Sequence, residues 1–249
     1  GLSWPSLGAL QEAHNTSTRS GTRMDAARAQ ILGNTFSIVV FTASIPRARV
    51  DQELCTRIAA DLFLTAAHGL WCFNEDTMQL IVIVEGNEYR ATIVDTQRLR
   101  ESTASEEDVP IRVRLLEPPA VELRPMPTAS ASYNLLDGIC FFTVEWTRSA
   151  VIPEDDRVIE GTLGLHPHVV DPRSIIVDAR HQTVQIPNGI HIMPNGTSGS
   201  SLCAVTSSPW LVALASCTRG TTGEWLSIEA PLLLDLPRAP GTTPSSPPS

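Results

Sequence analysis

No stretch of this sequence holds the roughly eighteen consecutive apolar residues that a helix needs to cross a bilayer, so a helical membrane span is excluded. A basic stripe is missing too. The formal net charge is −9, and Arg19, Arg23 and Arg28 are merely scattered near the N-terminus, so a nucleic-acid partner is not expected. Cysteine is scarce. Cys55, Cys72, Cys140, Cys203 and Cys217 make an odd number at irregular spacing with no CxxC pair, which argues against a disulfide framework and a cysteine metal site. Cys140, Cys203 and Cys217 sit in or beside apolar runs, where a free thiol acts as a small hydrophobe. No repeat occurs at solenoid periods. The opening GLSWPSLGAL lacks the basic start and apolar centre of a signal peptide. With the odd cysteine count, that favours an intracellular or non-secretory setting, although the Gly1 start is compatible with excision from a longer chain and leaves the compartment open.

What is present reads as globular. Hydrophobic residues make up 42% and charged residues 18%, which rules out wholesale disorder, and 249 residues suffice for one large all-β domain or two small lobes. Ten short runs rich in β-branched and aromatic residues are bounded by turn formers: FSIVVFTASI, DLFLTAA, MQLIVIVEG, YRATIVD, VPIRVRLLE, GICFFTVEW, SIIVDA, TVQIP, SSLCAV and WLVALASC. One short helix is expected over Met24 to Leu32. A Pro-containing stretch, Glu117 to Asn134, separates two groups of five strands. The reading is an N-terminal extension (1–33), a first β-barrel lobe (34–118), a second β-barrel lobe (119–235) and a disordered Pro/Ser-rich tail (236–249).

One stretch stands apart. In MPNGTSGSSLCAV, Met193 to Val205, two glycines and four small hydroxyl residues run directly into an apolar strand. Such a loop suits backbone N–H groups that must approach another atom closely. In DLFLTAAHGL, His68 stands where an apolar strand ends in small residues. The segment LTAAH resembles the histidine motif of the chymotrypsin-fold serine proteases. Gly196-Thr197-Ser198-Gly199-Ser200 resembles their nucleophile loop, usually Gly-Asp-Ser-Gly-Gly; the Thr-Ser-Gly-Ser variant is similar to that of flavivirus polyprotein proteases. Pro194, two residues before the first glycine, is similar to the HtrA group.

That resemblance spans Phe36 to Leu234. It implies an all-β fold of two six-stranded antiparallel barrels with the active site in the cleft between them, and a serine endopeptidase acting on polypeptide without a cofactor. Ser198 would attack the acyl carbon, His68 would take its proton, and the N–H groups of Gly196 and Ser198 would form the oxyanion hole. For the acid, Asp108 is preferred to Asp137. It lies 40 residues after His68, close to the family's interval, and EGNEYRATIVD…EEDVPIRVRL resembles the HtrA-type approach to the catalytic Asp. Asp137-Gly138 then reads as a turn opening the second lobe.

Several features depart from the family. Gly69 stands where secreted digestive members have a cysteine, and Cys55 lies two positions from where its partner would align, so that disulfide is expected to be absent. Thr197 replaces the acid that pairs with a newly cut N-terminus. The Gly-x-Gly usual before the histidine strand is not recognisable in ELCTRIAAD. Ile192 takes the place of the pocket-floor acid of trypsin-like enzymes, with Ala215, Ser216 and Cys217 on the opposing wall, so a small or medium apolar P1 side chain is expected. Asn195-Gly196-Thr197 is a glycosylation sequon whose glycan would obstruct the cleft, which again favours a setting outside the secretory pathway. Two other readings compete: a catalytically inactive protease fold serving as a binding module, and a metal protein using His166, His168, Asp171, His181 and His191.

Overall fold

The computed structural model describes residues 23–120, 124–128, 140–147, 162–168, 176–178, 180–187, 196–205 and 209–228. Asp137, Ile192, Pro194, Asn195 and the 236–249 tail lie outside them. The architecture is all-β, as expected. Six strands, β1 (Thr35–Thr42), β2 (Arg49–Arg57), β3 (Leu62–Ala66), β4 (Met78–Val84), β5 (Asn87–Ile93) and β6 (Pro110–Leu115), close a barrel in the order β1-β2-β3-β6-β5-β4. Every pairing in it is antiparallel. Seven more, β7 (Cys140–Thr147), β8 (Thr162–His168), β9 (Ile176–Asp178), β10 (Thr183–Ile186), β11 (Ser201–Val205), β12 (Pro209–Arg219) and β13 (Thr222–Ser227), form a sheet ordered β8-β7-β11-β12-β13-β10-β9.

The apolar runs become strands for recognisable reasons. In β1, Ile38 and Val40 point into the barrel against Phe63, Val82, Ile111 and Val113, while Val39 and Phe41 pack with Ile81 and Ile83 on the opposite face. Both faces are covered, so the strand reads as a continuous apolar run rather than an alternation. The β4–β5 hairpin turns at Glu85 and Gly86, with φ of 51° and 77°, the paired positive angles that a tight hairpin with right-twisted strands requires.

Three strands fall outside the ten expected from the sequence. In β2, RVDQELCTR, charged and amide side chains interrupt the apolar signal; β8, TLGLHPH, carries a proline; β13, TGEWLS, is short and carries one glycine and one glutamate. The expected helix is present as α1 (Arg23–Gly33), and a second, α2 (Thr96–Ser105), lies in the polar segment between two of the expected strands.

The two lobes share apolar packing. Ile31 of α1, Ile58, Leu62 and Leu64 of the first lobe, Met126 of the connection, and Cys203, Leu211, Leu214 and Leu226 of the second form one buried cluster. Asn34, fully buried after α1, ties this junction with hydrogen bonds. Its Nδ2 donates to Gln30 O and Arg124 O, both at 2.7 Å, and its carbonyl accepts from Arg57 N at 2.7 Å. Buried polar groups so paired add little net energy but are costly to strand. Replacing Leu214 by alanine removes a side chain with no solvent exposure from the shared cluster. It is expected to destabilise the protein by about 2–5 kcal/mol, measured as a lowered urea midpoint at unchanged slope.

Candidate active site

His68 is set by the end of β3. Ala66 and Ala67 are buried and small, and the chain turns there into one 3-10 turn, Ala67–Leu70. Ala67 N donates to Val109 O at 2.9 Å, which brings the turn against the segment that enters β6. Asp108 lies in that segment. Its Oδ1 accepts from the His68 backbone N–H at 2.9 Å and from Val109 N at 3.1 Å, and its Oδ2 lies 2.6 Å from His68 Nδ1. A carboxylate at Nδ1 favours the tautomer with its proton there and leaves Nε2 free to accept. The Asp108 backbone is braced from α2. Ser102 Oγ donates to Glu107 O at 2.5 Å and itself accepts from Trp71 Nε1 at 2.9 Å. The Trp71 ring meets the His68 ring edge-on, with centroids 6.2 Å apart.

Ser198 is set by the loop before β11. Gly196 and Gly199 have φ of 89° and 90°, in the left-handed region that only glycine adopts freely. The Gly199 N–H donates to Ala215 O at 2.9 Å, and Ser198 O accepts from Leu54 N of β2 at 2.9 Å. The loop is therefore held from both lobes at once. Neither the Gly196 nor the Ser198 N–H donates to backbone among the described residues. The Ser198 hydroxyl donates to Ser216 O at 2.8 Å, so it must turn to deliver its proton elsewhere.

Of the residues expected on the pocket wall, Ala215, Ser216 and Cys217 follow one another on β12, while Ile192 lies outside the described residues. Ser216 does something the sequence did not suggest: its hydroxyl donates to Asp108 Oδ2 across the junction between the lobes. Asp108 thus collects donors from both lobes. Beside His68 opens a cleft of about 640 Å³, lined among others by Trp71, Glu107, His181, Cys217, Arg219 and Glu224. Of the histidines weighed as metal ligands, His181 pairs with Asp178 (Nδ1–Oδ2 2.7 Å); Asp171 and His191 lie outside the described residues.

Sequence reasoning missed Glu53. This side chain on β2 sits with Oε1 4.0 Å from His68 Nε2, the ring nitrogen opposite the one that Asp108 holds. Burial raises the Glu53 carboxyl to about 7, helped by the neighbouring Asp51 charge and opposed by His68 and the Ser198 hydroxyl. For His68, burial acts to lower the pKa but is outweighed by the Asp108 hydrogen bond and by the charges of Asp108, Glu53 and Asp51, so the imidazole lies above its ordinary value. The available signal was an i, i+2 pattern, Asp51, Glu53 and Cys55, that puts two acids on the face where a barrel strand normally carries apolar residues.

No protein-family model matches the sequence, and no curated protein matches it. Among solved structures, the chain is similar to a human pathogenic astrovirus serine protease, at 14% identity and a TM-score of 0.47, covering 80% of this chain and 91% of that one.

The loop makes a firm demand at position 199. A Cβ there would overlap the Leu54 carbonyl oxygen and come within 2.9 Å of Thr65 Oγ1. Gly199→Ala is expected to destabilise the fold by about 3 kcal/mol or more, combining backbone strain with the steric overlap, and to lower the thermal midpoint. Gly196→Ala, whose added Cβ meets no atom of the described residues within 4 Å, should cost only the conformational part.

Proposed function

We propose that this protein is a serine endopeptidase in which Ser198 is the nucleophile, His68 the general base and Asp108 the residue that orients and charges the imidazole. The observation that carries this reading is the 2.6 Å contact between His68 Nδ1 and Asp108 Oδ2, side chains 40 residues apart, beside a glycine-turned loop bearing Ser198. In the reaction, Nε2 of His68 takes the Ser198 hydroxyl proton as Oγ attacks the carbonyl carbon. The imidazolium then returns that proton to the leaving amine. The N–H groups of Gly196 and Ser198 supply the donors for the tetrahedral oxyanion. Water repeats the sequence on the acyl-enzyme.

The substrate is a polypeptide laid as an extended strand. Cys217 to Arg219 pair with β13 on one side, and among the described residues their other edge carries no strand, so the backbone there is open to strand addition. Ala215, Ser216 and Cys217 offer no carboxylate to a cationic side chain, which supports a small or medium apolar P1 residue.

Incubation with a fluorophosphonate is expected to label the wild type at Ser198 and to leave Ser198→Ala unlabelled. Absence of labelling in the folded wild type would instead support the binding-module reading. Cleavage of a peptide library should vanish in Ser198→Ala, and Asp108→Asn should lower turnover on the order of 10⁴-fold. The base must be neutral to act, so activity rises as pH passes upward through the His68 pKa. With that pKa raised, the acid limb of kcat/KM is expected above the ordinary imidazole range near 6.5.

A further inference from the structure

The inward face of β2 carries two acids that the triad chemistry does not use. Asp51 and Glu53 share that face with Cys55, which packs inside the barrel. Glu53 is largely buried, its Oε2 has no hydrogen-bond partner among the described residues, and its Oε1 is directed at His68 Nε2. The placement is tight. A Cβ at position 69 would lie 2.8 Å from Glu53 Cγ, so the glycine after the histidine is what admits this side chain. Glu53 is faced by Asp51 on its own strand, His68 in the 3-10 turn, Ser198 in the loop before β11 and Asp108 before β6. Of these, only His68 can carry a positive charge. Asp51, in turn, is faced by His68 and Arg49.

Resting on the serine-protease reading, we propose that Glu53 is a positioning acid that governs the proton on His68 Nε2, acting from the side of the ring opposite Asp108. Nε2 is the atom that must accept the Ser198 proton. When Glu53 is ionised, it stabilises the imidazolium, so His68 keeps its proton to a higher pH and becomes available as a base only above that range. The same charge steadies the imidazolium that forms during attack. Glu53 receives no proton from serine in this scheme; it sets how firmly the imidazole holds one. Because Glu53 itself titrates near neutrality, the two groups lose their protons as a coupled pair.

Two opposed effects of Glu53→Gln follow. The acid limb of kcat/KM moves down by about one pH unit, and the high-pH plateau falls because a weaker base does the work. General structural damage lowers the plateau without moving the limb. Glu53→Asp keeps the charge and retains most of the wild-type limb.

The decisive measurement needs no turnover. In the Ser198→Ala protein, the imidazole carbon of His68 is titrated by NMR, assigned by its loss in His68→Gln, with and without Glu53→Gln. The expected result is a midpoint lower by about one unit, a tenfold loss of proton affinity, when the acid is removed. An unmoved midpoint in a folded protein overturns the proposal. A moved midpoint, with no peptidase activity in any variant carrying Ser198, leaves the coupling standing and overturns the protease reading instead.

Discussion

The arrangement depends on one backbone contact between the lobes. Leu54 N of β2 donates to Ser198 O, and Thr56 Oγ1 on the same strand donates to Gly199 O at 3.1 Å. Such an approach of main chain to main chain leaves no room for a Cβ at 199, where it would strike the Leu54 carbonyl. The serine loop therefore takes its position from the barrel that carries His68 as much as from the sheet that carries Ser198. A hinge between the lobes would break these bonds, strand buried polar groups and open the shared cluster around Leu64, Met126 and Leu214. The separation of serine and histidine is fixed by packing rather than left to lobe motion.

Electrostatics follows from the same strand. With β2 pinned to the serine loop, its inward acids are delivered to the imidazole, which ends up between Asp108 at Nδ1 and Glu53 toward Nε2. Asp108 tolerates its near-burial because it collects hydrogen bonds from His68, Val109 and Ser216. Glu53 has no comparable set of donors, its Oε2 having no hydrogen-bond partner among the described residues, and burial drives its pKa up. Two carboxylates thus flank one ring in different surroundings, Asp108 amid hydrogen-bond donors and Glu53 beside another acid with one oxygen unpartnered among the described residues.

The sequence was legible where chemistry and burial agree. LTAAH ends a strand buried along its whole length, the GTSGS loop is forced on glycine at two positive-φ positions, and the 40-residue spacing led to the aspartate that the structure brings to His68. Illegible were the places where they conflict. β2 did not read as a strand because Asp51, Gln52 and Glu53 interrupt its apolar pattern, and those interruptions include the acid nearest Nε2. β13 reads poorly because Glu224 holds a strand position, where Arg219 meets it at 3.4 Å. The hydroxyl of Ser216 on Asp108 had no signal at all, since that contact joins residues 108 positions apart through the packing of two lobes. Helix α2 was hidden by its polarity: only Leu99 and Ser102 are buried, and Ser102 serves to hold the Glu107 carbonyl.

Two departures from the secreted members, Gly69 after the histidine and Cys55 two positions from where a partner cysteine would align, lead to the expectation of no disulfide here. The side chain lying against Gly69 is Glu53; Cys55 itself is a buried free thiol whose pKa burial pushes far up. A covalent bridge would hold β2 to the histidine turn regardless of conditions. A carboxylate packed over a glycine holds it through van der Waals contact and through attraction to the imidazole, and the second part exists only while Glu53 is ionised and His68 is protonated. The contact beside His68 is therefore sensitive to protons where a disulfide would be sensitive to thiols. That difference is carried by two residues, one without a side chain and the other with a buried, incompletely paired acid.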